Sequence, residues 1–321
     1  MKITIRILLF LFVLSFPLSM NAQISKPNDL FAKGNDFFQA KNYTEAVKWF
    51  RKAADKGHSE AQFALGYCYL QGQGVAQDFS QAVSWFRKAA EQGQATAQAN
   101  LGICYLQGQG VTQDFSQAVN WLRKAAEQGQ VQAQAYMGIC YYNGQGVTQD
   151  YSQAVYWYRK AAEQGFAQAQ YNLGACYNNG EGVPQDYSQT VYWYRKAAEQ
   201  GHLPAQYNMG YCYLIGQGVT QDFSQAVYWY RKAAEQGYPY AQYNLGLFFD
   251  NGQGVAQDSS QAVYWYRKAA EQGLPQAQYN LGLCYYNGEG VTKDVPTARY
   301  WWQKAADQGL KEAKEILEAS N

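Results

Sequence analysis

The chain has 321 residues, with 26 Lys and Arg against 25 Asp and Glu, and a net charge of +1. That balance excludes the basic stripe of a nucleic-acid binder and the polybasic patch of a protein held on anionic lipid. The length exceeds what one ordinary core supports, and 29 Tyr, 15 Phe and 9 Trp point to a motif counted many times over.

Lys2 and Arg6 precede an apolar run at 7–16, followed by Pro17 and the small, polar stretch Ser19, Met20, Asn21, Ala22. This is the layout of a secretory signal peptide, residues 1–22, cut after Ala22. The run is shorter than the roughly 18 apolar residues of a membrane span. The expectation is therefore an exported chain, periplasmic or extracellular, with no membrane span after cleavage; a retained signal anchor is the alternative. Removing 1–22 takes two bases and no acid, which leaves a charge of −1. Residues 23–27 read as a linker.

Residues 156–165 read YWYRKAAEQG, and the string returns at 192–201, 228–237 and 264–273. Trp49, Trp85, Trp121, Trp157, Trp193, Trp229, Trp265 and Trp301 stand 36 residues apart. A fixed period of this size predicts a solenoid, in which each repeat buries a face only by stacking on its neighbours. A shorter first repeat occupies 28–57. Seven 36-residue repeats occupy 58–309, and 310–321 form a polar closing helix with Ala313 and Leu317 on its apolar side.

Repeat 58–93 shows the plan. Ala61, Leu65, Cys68 and Tyr69 lie on one face of a first helix that Gly72 stops. Asp78 caps a second helix, with Gln81 three residues on. Ala82, Trp85, Phe86 and Ala89 form its apolar stripe, and Gly93 ends it. The fold class is all-α, with two helices per repeat and no strand. Gly66 recurs as Gly102, Gly138, Gly174, Gly210, Gly246 and Gly282 inside the first helix. A helix glycine costs roughly 1 kcal/mol against Ala, so seven of them predict a close crossing of the second helix. The Trp row reads as core.

Ala61, Leu65, Gly66, Tyr69, Gly72, Gly74, Val75, Asp78, Ala82, Trp85, Ala89, Ala90 and Gly93 carry a pattern that resembles the Sel-one-like repeat, a relative of the tetratricopeptide repeat. The resemblance covers 28–321, and the short first unit is itself tetratricopeptide-like. It implies a right-handed α/α superhelix with first helices on the concave side, and a scaffold or adaptor role. Exported cysteine-rich relatives carry two bridged cysteines per repeat, and some are associated with penicillin binding and weak β-lactam hydrolysis. This chain has one cysteine per repeat at most and no S-x-x-K nucleophile motif.

Chemistry finds little purchase. Cys68, Cys104, Cys140, Cys176, Cys212 and Cys284 share one repeat position, where neighbouring helices sit about 8–10 Å apart. A disulfide needs Cα atoms within about 4.4–6.8 Å, so six free, buried thiols are expected. His58 and His202, four repeats apart, read as surface corner residues and cannot share a metal. The arginines from Arg87 to Arg267 precede Glu by four residues and read as solvated i,i+4 pairs. No catalytic residue, metal or cofactor is expected, and the chain reads as a non-enzyme; an amidohydrolase of β-lactams or peptidoglycan is the least favoured class.

The candidate site is a row on the first helices: Phe63, Ala99, Ala135, Tyr171, Tyr207, Tyr243 and Tyr279, beside Asn100, Asn172, Asn208, Asn244 and Asn280. By analogy with tetratricopeptide repeats this row faces the groove. Tyrosines stack on apolar groups or sugars, and asparagines serve as donors and acceptors. The expected partner is a protein or peptide, with a cell-wall glycan as the alternative. The same residues could instead pack between adjacent repeats. A second row, Tyr156, Tyr192, Tyr228, Tyr264 and Tyr300, sits one residue before the Trp and either covers seams or forms a convex surface.

Overall fold

The computed structural model describes residues 26–319, so the signal-peptide expectation lies outside the described residues. Among them are seventeen helices and no strand. They are α1 (Pro27–Gln39), α2 (Tyr43–Ala54), α3 (Ser59–Gln71), α4 (Phe79–Glu91), α5 (Ala95–Gln107), α6 (Phe115–Glu127), α7 (Val131–Asn143), α8 (Tyr151–Glu163) and α9 (Ala167–Asn179). Then come α10 (Tyr187–Glu199), α11 (Leu203–Ile215), α12 (Phe223–Glu235), α13 (Pro239–Asn251), α14 (Ser259–Glu271), α15 (Pro275–Asn287), α16 (Val295–Asp307) and α17 (Lys311–Ala319). They fall into two compact units, one ending at Trp85 and one starting at Phe86. In the first unit α1 packs on α2 and α2 on α3; in the second each helix from α5 to α17 packs on the next. The fold is an all-α solenoid of helix pairs.

Local chemistry explains the boundaries. In α9, Ala169, Leu173 and Cys176 are buried at helical spacing. The helix stops at Gly180, whose left-handed φ of 73° lets its N–H close on the Cys176 carbonyl. The Asp186 N–H then donates to the Tyr177 carbonyl at 3.0 Å, which folds the loop back. Asp186 Oδ1 accepts from the Ser188 and Gln189 N–H groups at 2.9 and 3.0 Å. Asp114, Asp150, Asp222, Asp258 and Asp294 cap their helices in the same way, each contributing about 1 kcal/mol.

No repeat owns its core. One cluster joins Val155, Tyr158 and Ala162 of α8 to Leu173 and Cys176 of α9 and Trp193 of α10. The Trp thus closes a cluster that the preceding second helix opens. Trp85, Trp157, Trp193, Trp229 and Trp265 are buried as expected. Trp49, Trp121 and Trp301 are only half-buried, which corrects the uniform core reading. The deepest second-helix residues stand one place later: Phe50, Phe86, Leu122, Tyr230, Tyr266 and Trp302.

The helix glycines lie where the second helix crosses. A Cβ on Gly174 would stand 2.6 Å from Tyr194 Cδ1, and one on Gly102 would stand 2.7 Å from Leu122 Cγ. The second glycine of the loop has a different task. At Gly182, with φ +72°, a Cβ would run into the Tyr151 carbonyl at the start of α8. That loop therefore seats directly on the backbone of the preceding repeat.

A buried glutamine in each first helix from α3 to α15 ties neighbouring repeats together. Gln170 Nε2 donates to the Ala162 carbonyl at 3.1 Å, and its Oε1 accepts from Gln200 Nε2 at 2.7 Å. Ala162 lies in the last turn of α8, where carbonyls have no partner within the helix. Gln98, Gln134, Gln206, Gln242 and Gln278 repeat both bonds.

All six cysteines are free and buried. Burial pushes the thiols of Cys68, Cys104, Cys140, Cys176 and Cys284 up to about 12, and that of Cys212 to about 11.

Candidate functional site

From α5 to α15, the first helices carry almost no charge. α5, α7, α9, α11 and α15 have no charged side chain, and α13 has one, Asp250. Along them Tyr171, Tyr207, Tyr243 and Tyr279 are half-buried, as is Phe63 on α3. Ala99 and Ala135 of the same row are buried.

Each of the first three row tyrosines rests on a buried tyrosine of its own second helix. Tyr171 stacks on Tyr194 with ring centres 5.4 Å apart, Tyr207 meets Tyr230 at 5.5 Å and Tyr243 meets Tyr266 at 6.0 Å. Burial raises the Tyr171 phenol, and the Asn208 amide of the next repeat pulls it part of the way back. Asn244 does the same for Tyr207, and Asn280 for Tyr243. Asn172 Oδ1 accepts from Gln168 Nε2 at 3.0 Å. Tyr279 packs toward Ala305, Ala306 and Ala313, and its carbonyl accepts from Trp302 Nε1 at 3.1 Å. The Tyr and Asn rows therefore interlock across repeats, and each Tyr keeps part of its ring open.

Around Tyr207 the aromatic density rises. Tyr238 stands edge-on at 5.2 Å and Tyr240 at 6.4 Å, and these two lie 5.7 Å apart. Tyr211 follows Tyr207 by one turn of α11. Tyr211 and Tyr240 are 45% and 51% exposed. Sequence reasoning missed these three residues, because the row was defined by equivalence and they are departures from it.

Both histidines depart from the corner reading. His202 Nδ1 caps α11 by accepting from the Ala205 N–H at 3.3 Å, so in the neutral ring Nε2 carries the proton toward Gln168 Oε1 at 3.2 Å. The ring lies 4.9 Å from that of Tyr171. Burial lowers its pKa to about 4. His58 Nδ1 caps α3 at 3.2 Å from the Ala61 N–H, and the ring stacks on Phe31 at 4.7 Å. Half-burial lowers its pKa as well, with Glu60 working against the shift.

The arginines do not pair with glutamate as expected. Arg159 Nη2 donates to Tyr177 Oη at 2.8 Å, across to the first helix of the next repeat. Arg87 reaches Tyr105, Arg195 reaches Tyr213 and Arg267 reaches Tyr285 at 2.7–2.9 Å, and Arg123 reaches Tyr141 at 3.3 Å. Arg231 meets Phe249 instead, its guanidinium 5.5 Å from the ring centre. The phenol accepts a charge-assisted bond that a solvated Glu would contest only weakly.

The second tyrosine row is a surface. Tyr156, Tyr192, Tyr228, Tyr264 and Tyr300 are 48–53% exposed. The Tyr156 ring stands edge-on to Trp157 at 5.1 Å, under Lys160 Nζ at 5.1 Å, all within α8.

Comparison with known families matches the Sel1 repeat at 30–58, 59–94, 95–130, 131–166, 167–202, 203–238, 239–274 and 275–310. The chain belongs to the Sel1 repeat family. Its fold is similar to that of a protective antigen present in uropathogenic Escherichia coli strains, with 41% identity and a TM-score of 0.85. The match covers 92% of this chain and 64% of that one. A Sel1 repeat protein from Oxalobacter formigenes is similar at 35% identity and a TM-score of 0.71, over 92% of this chain and 86% of that chain. An exopolysaccharide production negative regulator of Rhizobium leguminosarum bv. viciae is 43% identical over 54 residues, 17% of this chain and 20% of that protein. The chain spans 20% or less of the length of the curated relatives it matches.

Sel1 repeat proteins are generally non-enzymatic protein-interaction scaffolds. In this Sel1 array the Asp caps start the second helix of each repeat, while the Gln ties and Arg–Tyr bonds join neighbouring repeats. No described helix is long and apolar enough to cross a membrane.

Proposed function

We propose that the chain is an exported scaffold that captures a protein or peptide partner on its first-helix face. Phe63 and the pairs Tyr171/Asn172, Tyr207/Asn208, Tyr243/Asn244 and Tyr279/Asn280 are the contact residues. One observation carries the reading: Tyr171, Tyr207 and Tyr243 are half-open rings, each backed by a buried tyrosine. Backing fixes the rotamer, so binding such a ring orders little that is not already ordered. Tyrosine is also among the residues that dominate interface energetics.

The test is capture of partner from an extract of the producing cell by wild type and by two double variants. Tyr207→Ala with Tyr243→Ala is expected to lose capture, with circular dichroism confirming the fold. Tyr228→Ala with Tyr264→Ala, on the second-helix surface, is expected to keep it. Retained capture by the first pair would sink the assignment. Export is checked separately by N-terminal sequencing of protein recovered outside the cytoplasm. A start at Gln23 is expected, and a start at Met1 would contradict cleavage.

A further inference from the structure

Two residues of the Tyr207 neighbourhood, Tyr211 and Tyr240, break the repeat pattern of the second unit together. In the second unit the position of Tyr211 is otherwise Ile103, Ile139, Ala175, Leu247 and Leu283, and in the first unit Tyr67 holds it. The position of Tyr240 is otherwise Thr96, Gln132, Gln168, Pro204 and Gln276. The solenoid stacks without tyrosine at either place, so the fold does not account for them. At the Tyr238 position Gln94, Gln130 and His202 each cap their helix, whereas Phe166, Tyr238 and Leu274 make no side-chain cap bond. Tyr211, one turn on from Tyr207, and Tyr240, whose ring centre is 6.4 Å from that of Tyr207, are both about half exposed, and Tyr238 adds a third ring edge-on to Tyr207.

Resting on the first-helix face as the partner-binding side, we propose that Tyr207, Tyr211, Tyr238 and Tyr240 form a docking site for an uncharged, proline-rich segment in extended polyproline conformation. Charge argues for the class. α9 and α11 carry no charged side chain, and the one carboxylate of α13, Asp250, accepts from the buried Tyr266 hydroxyl at 3.2 Å. A charged ligand would lose hydration here with no counter-charge in return. Ring geometry argues for the shape. The planes of Tyr207, Tyr238 and Tyr240 meet at 54–67°, which makes notches between rings and no flat platform of the kind a sugar face stacks on. Aromatic-lined notches suit proline rings, and a polyproline segment has little entropy left to lose. Such a segment offers carbonyl acceptors and no N–H, and the phenols supply donors.

The experiment is fluorescence anisotropy of a labelled, end-capped polyproline peptide of about ten residues, roughly 30 Å long at its rise per residue. A capped Gly/Ser peptide of equal length and a neutral chito-oligosaccharide serve as comparison ligands. Wild type is expected to bind polyproline saturably and the Gly/Ser peptide not at all. Tyr211→Ala and Tyr240→Ala should each weaken binding about tenfold, as loss of an interface anchor does. Their melting temperatures should hold, because both side chains are about half exposed and lie outside the buried core. Equal binding of the Gly/Ser peptide, undiminished binding by both variants, or binding of the oligosaccharide in place of polyproline overturns the proposal. If polyproline fails while Tyr207→Ala with Tyr243→Ala still abolishes partner capture, the ligand class falls and the face reading stands. If capture survives that pair, the face reading itself falls.

Discussion

His202 gives its repeat an acid sensitivity that its glutamine counterparts lack. Its pKa is lowered from the ordinary 6.5 to about 4 by burial, so the folded chain binds its proton later than the unfolded chain does. Its contribution is complete above pH 6.5 and is lost as pH falls from 6.5 toward 4, amounting to about 3 kcal/mol in full. Gln130 caps the same position through Oε1, 2.5 Å from the Ala133 N–H, and does not titrate. His202→Gln should therefore flatten the dependence of melting temperature on pH across that window. An unchanged profile would place the sensitivity elsewhere. Gly174→Leu tests the crossing. Its side chain must displace Tyr194, which is buried and covered by Tyr171. A loss of about 1–3 kcal/mol or more is expected, and an unchanged melting temperature would contradict the close approach.

Between elements, the arginine ladder shows how much the repeat pattern conveys. The helices and their caps could be read because period, Asp and Gly act within one helix. The partner of Arg195 could not, because Tyr213 lies 18 residues on in a different helix. Periodicity shows which residues share a face but not which faces of two helices meet. Glu at i+4 was the visible local partner, and the less obvious phenol holds the arginine. Arg231 over Phe249 shows that the ring alone retains the guanidinium. Tyr213→Phe should accordingly cost well under 1 kcal/mol, while Arg195→Ala should cost about 1–2 kcal/mol through lost packing and hydrogen bonding. Urea midpoints of the two variants decide it; equal losses would assign the contact to the hydroxyl. The candidate row was legible for the same reason as the caps, since Tyr171 and its successors repeat in register. Tyr211, Tyr238 and Tyr240 were not, because their significance appears only when two helices are laid side by side.

At the scale of the array, the core clusters run from one repeat into the next, one of them through three, so a junction matters more than the unit it joins. Deleting 130–165 brings α6 against α9, whose buried Ala169, Leu173 and Cys176 match Ala133, Met137 and Cys140 of the α7 it loses. That deletion should fold, with a helix signal reduced in proportion and lower stability, as expected when stability is a sum over neighbours. Deleting one residue fewer shifts the register of Gln170 against Ala126 and should abolish cooperative melting. A cooperative transition in the shorter deletion would show that the ties are dispensable. Deleting 202–237 removes Tyr207 and Tyr211 and should eliminate polyproline binding, which the 130–165 deletion should leave in place.

The cysteine row adds a chronology to this picture. Six chemically similar thiols stand at one depth along the chain, each protected by burial and by a pKa near 11 or 12. A thiolate reagent can modify one only after its own seam parts. The order in which Cys68 through Cys284 become labelled is therefore a record, written by the protein itself, of where the array opens first and how far the opening travels.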